Sequence, residues 1–222
     1  MSVSSVLAID TLLRDPRLWR GHGAATLPLS RRSSGHAALD AVLPGGGWPE
    51  AALVEVLFSA DGLGELSLLL PLLAKLSADD HPLLVIAPPY RVYAPAWQQA
   101  GVRLSQLHLV EASGKDALWA MEQALRAGCC GAVVSWPLQA DDTALRRLQV
   151  AAETGQTLGF AFRPMKARDN PSPAPLRLSL QGSSEGTELR VLKCRGALPP
   201  ARPLAFRAAA PALGKLRSLP RH

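Results

Sequence analysis

Short apolar runs alternate with longer stretches of helical spacing from residue 53 onward. Continuous apolar runs are typical of strands that are buried on both faces of a sheet. We therefore predict strands at residues 53–57, 83–87, 107–110, 131–134 and 157–163. The stretches between them predict helices at 64–77, 94–100, 115–127 and 142–153.

Local signals refine these elements. Asp141 or Asp142 can cap the helix at 142–153, and Pro71 is expected to kink the helix at 64–77. Residues 35–43 predict a short helix, and the proline- and glycine-rich sequence at 44–49 predicts a turn without regular structure.

The alternation of strand and helix predicts an α/β fold, with a mostly parallel sheet that is flanked by helices. Residues 176–180 and 187–193 predict a C-terminal antiparallel hairpin. We expect three parts: an N-terminal part at 1–34 that comprises a helix (3–13) and a linker, a core at 35–196, and a basic tail at 197–222. The tail is rich in Pro and Ala, which predicts partial disorder.

Length and composition indicate one domain and exclude several classes of protein. A chain of 222 residues can bury a substantial core, and it has no apolar run long enough to span a bilayer. Its first ten residues lack the basic charge of a secretory signal, so we expect a cytoplasmic protein without membrane partners. Cys129, Cys130 and Cys194 fit neither a disulfide framework nor a zinc site, and we expect small buried thiols in a reducing compartment.

Charge is unevenly distributed along the chain. Residues 1–162 carry 12 Lys and Arg against 15 Asp and Glu, whereas residues 163–222 carry 12 against 3. A basic C-terminal segment predicts either an acidic protein or a polyanion as partner, or a solvated tail that aids solubility. The candidate binding residues are Arg190, Lys193, Arg195, Arg202, Arg207, Lys215 and Arg217.

Residues 54–70 have the strand–loop–helix layout of a phosphate-binding loop. When Gly64 is taken as the last glycine of that motif, Ser59 replaces the first glycine, Glu65 the lysine, and Leu66 the Ser or Thr. A carboxylate repels a triphosphate, and Leu66 offers Mg²⁺ no hydroxyl. We therefore expect no cofactor, no metal and no catalytic residue, although the amides of Gly62 and Gly64 could still bind an anion.

A family resemblance follows from three stretches, residues 39–57, 155–164 and 191–196. They resemble the RecA-like ATPase core and, more fully, the ImuA family of RecA-related, SulA-like proteins from bacterial SOS mutagenesis operons. The resemblance covers about residues 35–200. The Gly-Gly-Gly-Trp-Pro turn at 45–49 and the Lys-x-Arg-Gly sequence at 193–196 are its most specific parts.

The resemblance also shows which RecA positions have changed. The water-activating glutamate falls on Pro89, and the metal-binding aspartate falls on Ser135. The first DNA-binding loop is reduced to a short acidic connection at 135–144, and the second corresponds to the proline-rich segment at 164–176. ATP hydrolysis and a RecA-like DNA filament are therefore not expected.

By this resemblance, the chain would be a non-catalytic accessory protein of the SOS response to DNA damage. It would support error-prone translesion synthesis through contacts with RecA, with ImuB (an inactive polymerase-like protein) and with an error-prone polymerase, and the basic tail could add weak DNA contact. The alternative is a SulA-like inhibitor of the tubulin-like division protein. A C-terminal extension of about 60 residues argues against that alternative.

Aromatic residues are the other candidates for partner binding, because Trp and Tyr contribute much of the energy in protein interfaces. Trp48 and Trp136 are expected in loops at the carboxyl edge of the sheet, and Tyr90, Tyr93 and Trp97 follow the second strand. These side chains could equally fill the space that nucleotide occupies in RecA. Trp119 is expected to pack in the core or at its edge.

Overall fold

The computed structural model describes residues 32–60, 63–184 and 186–206. The predicted N-terminal helix at 3–13 and most of the predicted tail lie outside these residues.

Within the described ranges, eight strands form a single sheet in the order β3-β2-β4-β5-β1-β6-β7-β8. Strands β1 to β6 run parallel to one another, and β7 and β8 are antiparallel to their neighbours. The strands span Leu53–Phe58 (β1), Leu83–Ile86 (β2), Leu107–Val110 (β3), Ala132–Ser135 (β4), Leu158–Pro164 (β5), Leu176–Ser183 (β6), Gly186–Cys194 (β7) and Leu204–Phe206 (β8). The predicted α/β class with a mostly parallel sheet is confirmed.

Five α-helices lie on the two faces of this sheet in the described part of the chain. They span Ala37–Asp40 (α1), Leu70–Ala78 (α2), Ala94–Gln99 (α3), Gly114–Ala127 (α4) and Asp142–Thr154 (α5). Asp141 caps α5, because its Oδ1 accepts a hydrogen bond from the Ala144 amide at 2.7 Å. Single 3₁₀ turns occur at Pro44–Gly46, Leu66–Leu68, Leu104–Gln106 and Met165–Ala167.

Two predictions about proline were wrong. Pro71 lies in the first turn of α2, which begins at Leu70 instead of residue 64. A proline in the first turn of a helix needs no hydrogen-bond partner for its nitrogen, so Pro71 starts the helix and does not kink it. Pro44 likewise opens a 3₁₀ turn in a segment that was expected to be irregular, where Gly45 supplies a φ of 75°.

The sheet separates two apolar cores. One contains α1, α2 and α3, and its largest fully buried side chain is Trp48, whose ring meets Phe160 edge-on at 5.2 Å. The other lies beneath α4 and α5 and is built from smaller residues such as Met121, Leu125 and Leu148. Side chains of one strand alternate between the two cores, as the strand pleat requires.

A buried group of three charges lies at the centre of the sheet. Glu55 in β1 is 0 % exposed, and its carboxylate accepts a hydrogen bond from Arg163 Nη1 at 2.5 Å and one from Arg177 Nε at 2.6 Å. Strands β5 and β6 supply the two arginines from either side of β1. Arg163 Nη2 also donates to the Ala140 carbonyl at 2.5 Å, and Arg177 Nη2 donates to the Ala167 carbonyl at 3.0 Å. The triad therefore ties the segments that follow β4 and β5 to the sheet.

We predict that Glu55→Gln lowers the free energy of unfolding by about 3 to 5 kcal/mol, because it leaves two buried guanidinium groups without a counter-charge. Urea denaturation followed by circular dichroism measures this change. Glu188→Gln is the matched control, since Glu188 contacts Arg190 at 3.5 Å on the partly exposed surface of β7. The control should cost less than about 1 kcal/mol. Equal losses for the two variants would contradict a special role for the buried triad.

Candidate functional site

A cleft of about 970 Å³ opens at the carboxyl edge of β2 and β4. After β2 the chain continues into α3 in one helix layer, and after β4 it continues into α5 in the other layer. Neighbouring parallel strands whose connections leave in opposite directions create the crevice in which α/β sheets bind their ligands. The topology thus marks this cleft as the candidate site.

The rim of the cleft is apolar and exposed. Trp119 on α4 is 63 % exposed, and Leu138 in the turn after β4 is 44 % exposed. Trp119 was expected to pack in the core or at its edge, and its exposure corrects this interpretation. Exposed large apolar side chains around a concave surface are typical of a protein interaction site.

Two charged residues of the cleft lining, Glu122 and Arg147, are paired with each other. Glu122 on α4 is buried, and its two oxygens accept hydrogen bonds from Arg126 Nη2 at 2.8 Å and from Arg147 Nη2 at 2.5 Å. Arg147 belongs to α5, so this carboxylate joins the two helices that form one wall. The wall is therefore held by ion pairs and presents mainly apolar atoms to a partner.

The loop after β2 borders the same cleft. Ala87 adopts a φ of 50°, which is uncommon for a residue other than glycine, and its amide donates to the Val110 carbonyl at 2.9 Å. Two prolines follow, and Pro89 lines the cleft. Tyr90 and Tyr93 then project with 60 % and 70 % of their surface exposed. The loop thus borders the cleft with its first residues and presents two large exposed aromatic side chains directly after them.

The loop expected to resemble a phosphate site packs against the hairpin instead. The Leu63 carbonyl accepts a hydrogen bond from Thr187 Oγ1 at 3.2 Å, and the Ser59 amide donates to the Leu180 carbonyl at 3.3 Å. Glu65 Oε2 is buried and has no hydrogen-bond partner among the described residues. Leu66 opens a 3₁₀ turn and packs against the first core, Gly64 adopts a φ of 83°, and Gly62 lies outside the described residues.

Three of the tryptophans proposed for partner binding lie in the interior, and this corrects the interpretation. Trp48, Trp97 and Trp136 are 0, 5 and 9 % exposed. The Trp136 ring stacks on the Phe162 ring with 5.2 Å between centroids. Phe58 meets the Phe162 ring edge-on, with 6.5 Å between centroids. Their area stabilises the sheet and is not available to a partner. Of the aromatic candidates near the carboxyl edge, the two tyrosines, Tyr90 and Tyr93, are well exposed.

Sequence reasoning missed Arg91 and Leu138 as surface residues near the cleft. Both are exposed, Arg91 between the two tyrosines and Leu138 on the rim. Their positions directly after two apolar strands were a usable signal, because loops at the carboxyl edge of a parallel sheet surround the ligand crevice.

The basic C-terminal candidates are dispersed. Arg190 contacts Glu188 at 3.5 Å, and Lys193 Nζ donates to the Ser172 carbonyl at 2.8 Å. Although much of the Lys193 side chain is exposed, burial lowers its pKa from the usual value, and the nearby Arg177 adds to this effect. Arg195 and Arg202 are exposed, whereas Arg207, Lys215 and Arg217 lie outside the described residues.

Metal binding and membrane insertion find no support in the described ranges. Within residues 32–60, 63–184 and 186–206, no group of three or more His, Cys, Asp and Glu side chains is placed to hold a metal ion. In that same part of the chain, no helix combines the length and the apolar character needed to cross a bilayer.

Comparison with known proteins identifies the family. The family model described as cell division inhibitor SulA matches residues 51–159. The cell division inhibitor SulA of Pectobacterium atrosepticum is 36 % identical over 139 residues, which cover 61 % of this chain and 79 % of that protein. The protein of the same name from Pectobacterium carotovorum is 35 % identical over 133 residues, or 58 % of this chain and 75 % of that protein.

A solved structure supports the fold alone. A KaiC-like protein from Pyrococcus horikoshii superposes with a TM-score of 0.58 at 14 % identity, covering 79 % of this chain and 94 % of that chain. The RecA-like architecture expected from the resemblance therefore agrees with a KaiC-like neighbour.

These matches overturn the expectation of a translesion-synthesis accessory protein. The matched relatives are named as cell division inhibitors, and none of these matches supports ImuA, its polymerase partners, RecA or DNA as the target. The matches favour the alternative expectation, a SulA-like inhibitor of cell division. The C-terminal extension of about 60 residues is therefore compatible with that family. The two Pectobacterium proteins align with this chain over 79 % and 75 % of their own length, so the chain belongs to the SulA family.

Proposed function

We propose that this chain inhibits cell division by binding the tubulin-like division protein. The observation that carries this proposal is the pair of exposed tyrosines, Tyr90 and Tyr93, on a restricted loop beside an apolar cleft. The chain belongs to a family whose matched relatives are named cell division inhibitors, and this supports a protein of the division machinery as the partner. The inhibitor acts by occupying a surface of its partner and carries out no chemistry.

The proposed interface combines the loop and the rim of the cleft. Tyr90, Arg91 and Tyr93 supply residue types that are enriched at the energetic centres of protein interfaces. Trp119 and Leu138 extend this surface across the cleft mouth. Because Ala87 and the following prolines restrict the loop, little conformational entropy is lost when a partner binds it.

The absence of chemistry follows from the residues at four positions of the RecA-like core. Glu65 and Leu66 replace the phosphate-binding lysine and the metal-binding hydroxyl, while Pro89 and Ser135 replace the two catalytic carboxylates. The Leu63–Thr187 hydrogen bond holds the former phosphate loop against the hairpin. Trp136 and Phe162 fill the carboxyl edge with stacked rings. These features support a scaffold that does not hydrolyse nucleotide.

We predict that the wild-type chain prevents nucleotide-driven polymerisation of a purified tubulin-like division protein from a SulA-containing bacterium. The double variant Tyr90→Ala/Tyr93→Ala should weaken binding roughly 30-fold, the effect of losing about 2 kcal/mol at an interface centre. Sedimentation measures polymerisation, and isothermal titration calorimetry measures the dissociation constant.

Val150→Ala is the matched control for this experiment. Val150 is 50 % exposed on α5, in the half of the helix distant from the cleft, so its removal should leave binding unchanged. Failure of the wild-type chain to bind or inhibit would contradict the proposed function. Equal dissociation constants for the tyrosine variant and the Val150 variant would contradict the proposed interface.

A second prediction concerns ATP. With ATP and Mg²⁺, the chain should release no phosphate above a boiled-protein blank, because Glu65 repels the triphosphate and Leu66 cannot bind the metal. Malachite green detection measures the release. Glu188→Gln serves as the matched carboxylate control for Glu65→Gln. Phosphate release that changes with Glu65→Gln but not with Glu188→Gln would contradict the proposal. Phosphate release by a contaminating ATPase would change with neither substitution.

A further inference from the structure

Two adjacent cysteines form a thiol pair in the turn between α4 and β4. The Sγ atoms of Cys129 and Cys130 lie 3.8 Å apart within hydrogen-bonding range, and neither thiol is in a disulfide. Cys129 is exposed and Cys130 is half-buried, which corrects the expectation that both are core residues. The helix ends at Ala127, so the pair lies in the turn and is accessible to small molecules.

The backbone on both sides of the pair is held in place. Gly128 adopts a φ of 69°, and a Cβ atom built there would meet the Gly155 carbonyl oxygen at 2.7 Å, so this turn packs closely on the turn after α5. On the other side, the Gly131 amide donates to the Pro82 carbonyl at 2.8 Å. The two thiols therefore project from a fixed turn, and little ordering is required to bring them to one ligand atom.

This geometry disfavours a direct disulfide between the two residues. Neighbouring Cα atoms are held about 3.8 Å apart by the trans peptide. Ordinary disulfides need roughly 4.4 to 6.8 Å between their Cα atoms and an S–S bond of about 2.05 Å. A larger atom that bridges the two sulfurs can leave them near their present separation and avoid that strain.

We propose that Cys129 and Cys130 form a bidentate binding site for trivalent arsenicals. In the reaction, two As–O bonds break and two As–S bonds form, and the two thiol protons leave with the oxygens as water. Arsenic stays trivalent, so no oxidant or reductant is needed. Thiolate sulfur is a soft ligand and suits such thiophilic centres.

The protonation of the pair favours an arsenical over a divalent cation. Burial raises the pKa of Cys130 to about 12, and the charge and hydrogen bond of Cys129 act in the same direction. A divalent cation must displace thiol protons into neutral water, which weakens its binding. An arsenical with As–O groups carries the oxygens that accept those protons.

The third thiol provides an internal comparison. Cys194 is buried on β7, and burial raises its pKa to about 11. A single buried thiol cannot hold the arsenical through two sulfurs, so Cys194 should neither bind it nor compete with the pair. The pair itself precedes β4 and lies at the opposite edge of the sheet from the cleft, so this site is separate from the proposed interface.

The test uses phenylarsine oxide with the full chain under native conditions. We expect intact-mass spectrometry to detect one adduct per chain in the wild type and in Cys194→Ser. Release by excess glutathione, a monothiol, should be at least about 100-fold slower than from Cys129→Ser or Cys130→Ser, because two linked sulfurs rebind cooperatively. A dithiol such as dimercaptopropanol should remove the adduct.

Circular dichroism establishes that each serine variant is folded before its release rate is compared. Equal release from the wild type and from either single variant of the pair would overturn the proposal, and so would an adduct that requires Cys194. Formation of a Cys129–Cys130 disulfide with diamide, seen as the loss of two free thiols within one monomer, would overturn the geometric reasoning on which it rests.

Discussion

Glu55 is a negative charge at the centre of a sheet where every other residue of its strand is apolar, and the rest of the structure is arranged around it. Arginines from both neighbouring strands neutralise it, so the register of β5, β1 and β6 is fixed by charge as well as by the pleat. A slip of one residue would turn a buried carboxylate or guanidinium to the wrong face. Through Arg163, the same triad holds the Ala140 carbonyl and hence the turn that carries Trp136 and Leu138. One wall of the cleft therefore depends on an interaction that is buried beneath it.

A parallel sheet with a crevice at its carboxyl edge can serve as a scaffold, because the strand order and the chemistry of such a crevice depend on different residues. Strand order and crossover direction create a crevice at β2 and β4 whether or not chemistry occurs there. Stacked rings of Trp136 and Phe162 fill the edge, and the loop at Leu63 is bound to the hairpin. What remains available to a partner is the outer surface, with Tyr90, Tyr93 and Trp119 exposed. Inhibition by surface contact fits this arrangement better than catalysis does.

The sequence predicted the strands well, because the inner parallel strands such as β1, β4 and β5 are buried on both faces and leave short, largely apolar runs. The start of α2 was misplaced, since Pro71 can begin a helix as readily as it can kink one, and local sequence does not decide between the two. Exposure of aromatic residues was predicted poorly. Trp136 follows an apolar strand and Trp119 follows Ala117 and Leu118 in a helix, but only the tertiary fold stacks one ring on Phe162 and leaves the other in solvent. The ion pairs of Glu55 were not predicted, because its two partners lie more than 100 positions away in the chain.

The central claim is that the carboxyl edge of this SulA-family sheet, around β2 and the start of α4, is the surface that meets the division protein. Amide hydrogen exchange of the full chain, with and without the unpolymerised division protein, tests it most directly. We predict slower exchange on binding in residues 87–93 and 113–122, with little change in the hairpin of β6 and β7. Protection confined to that hairpin, or no protection at a concentration that stops polymerisation, would contradict it.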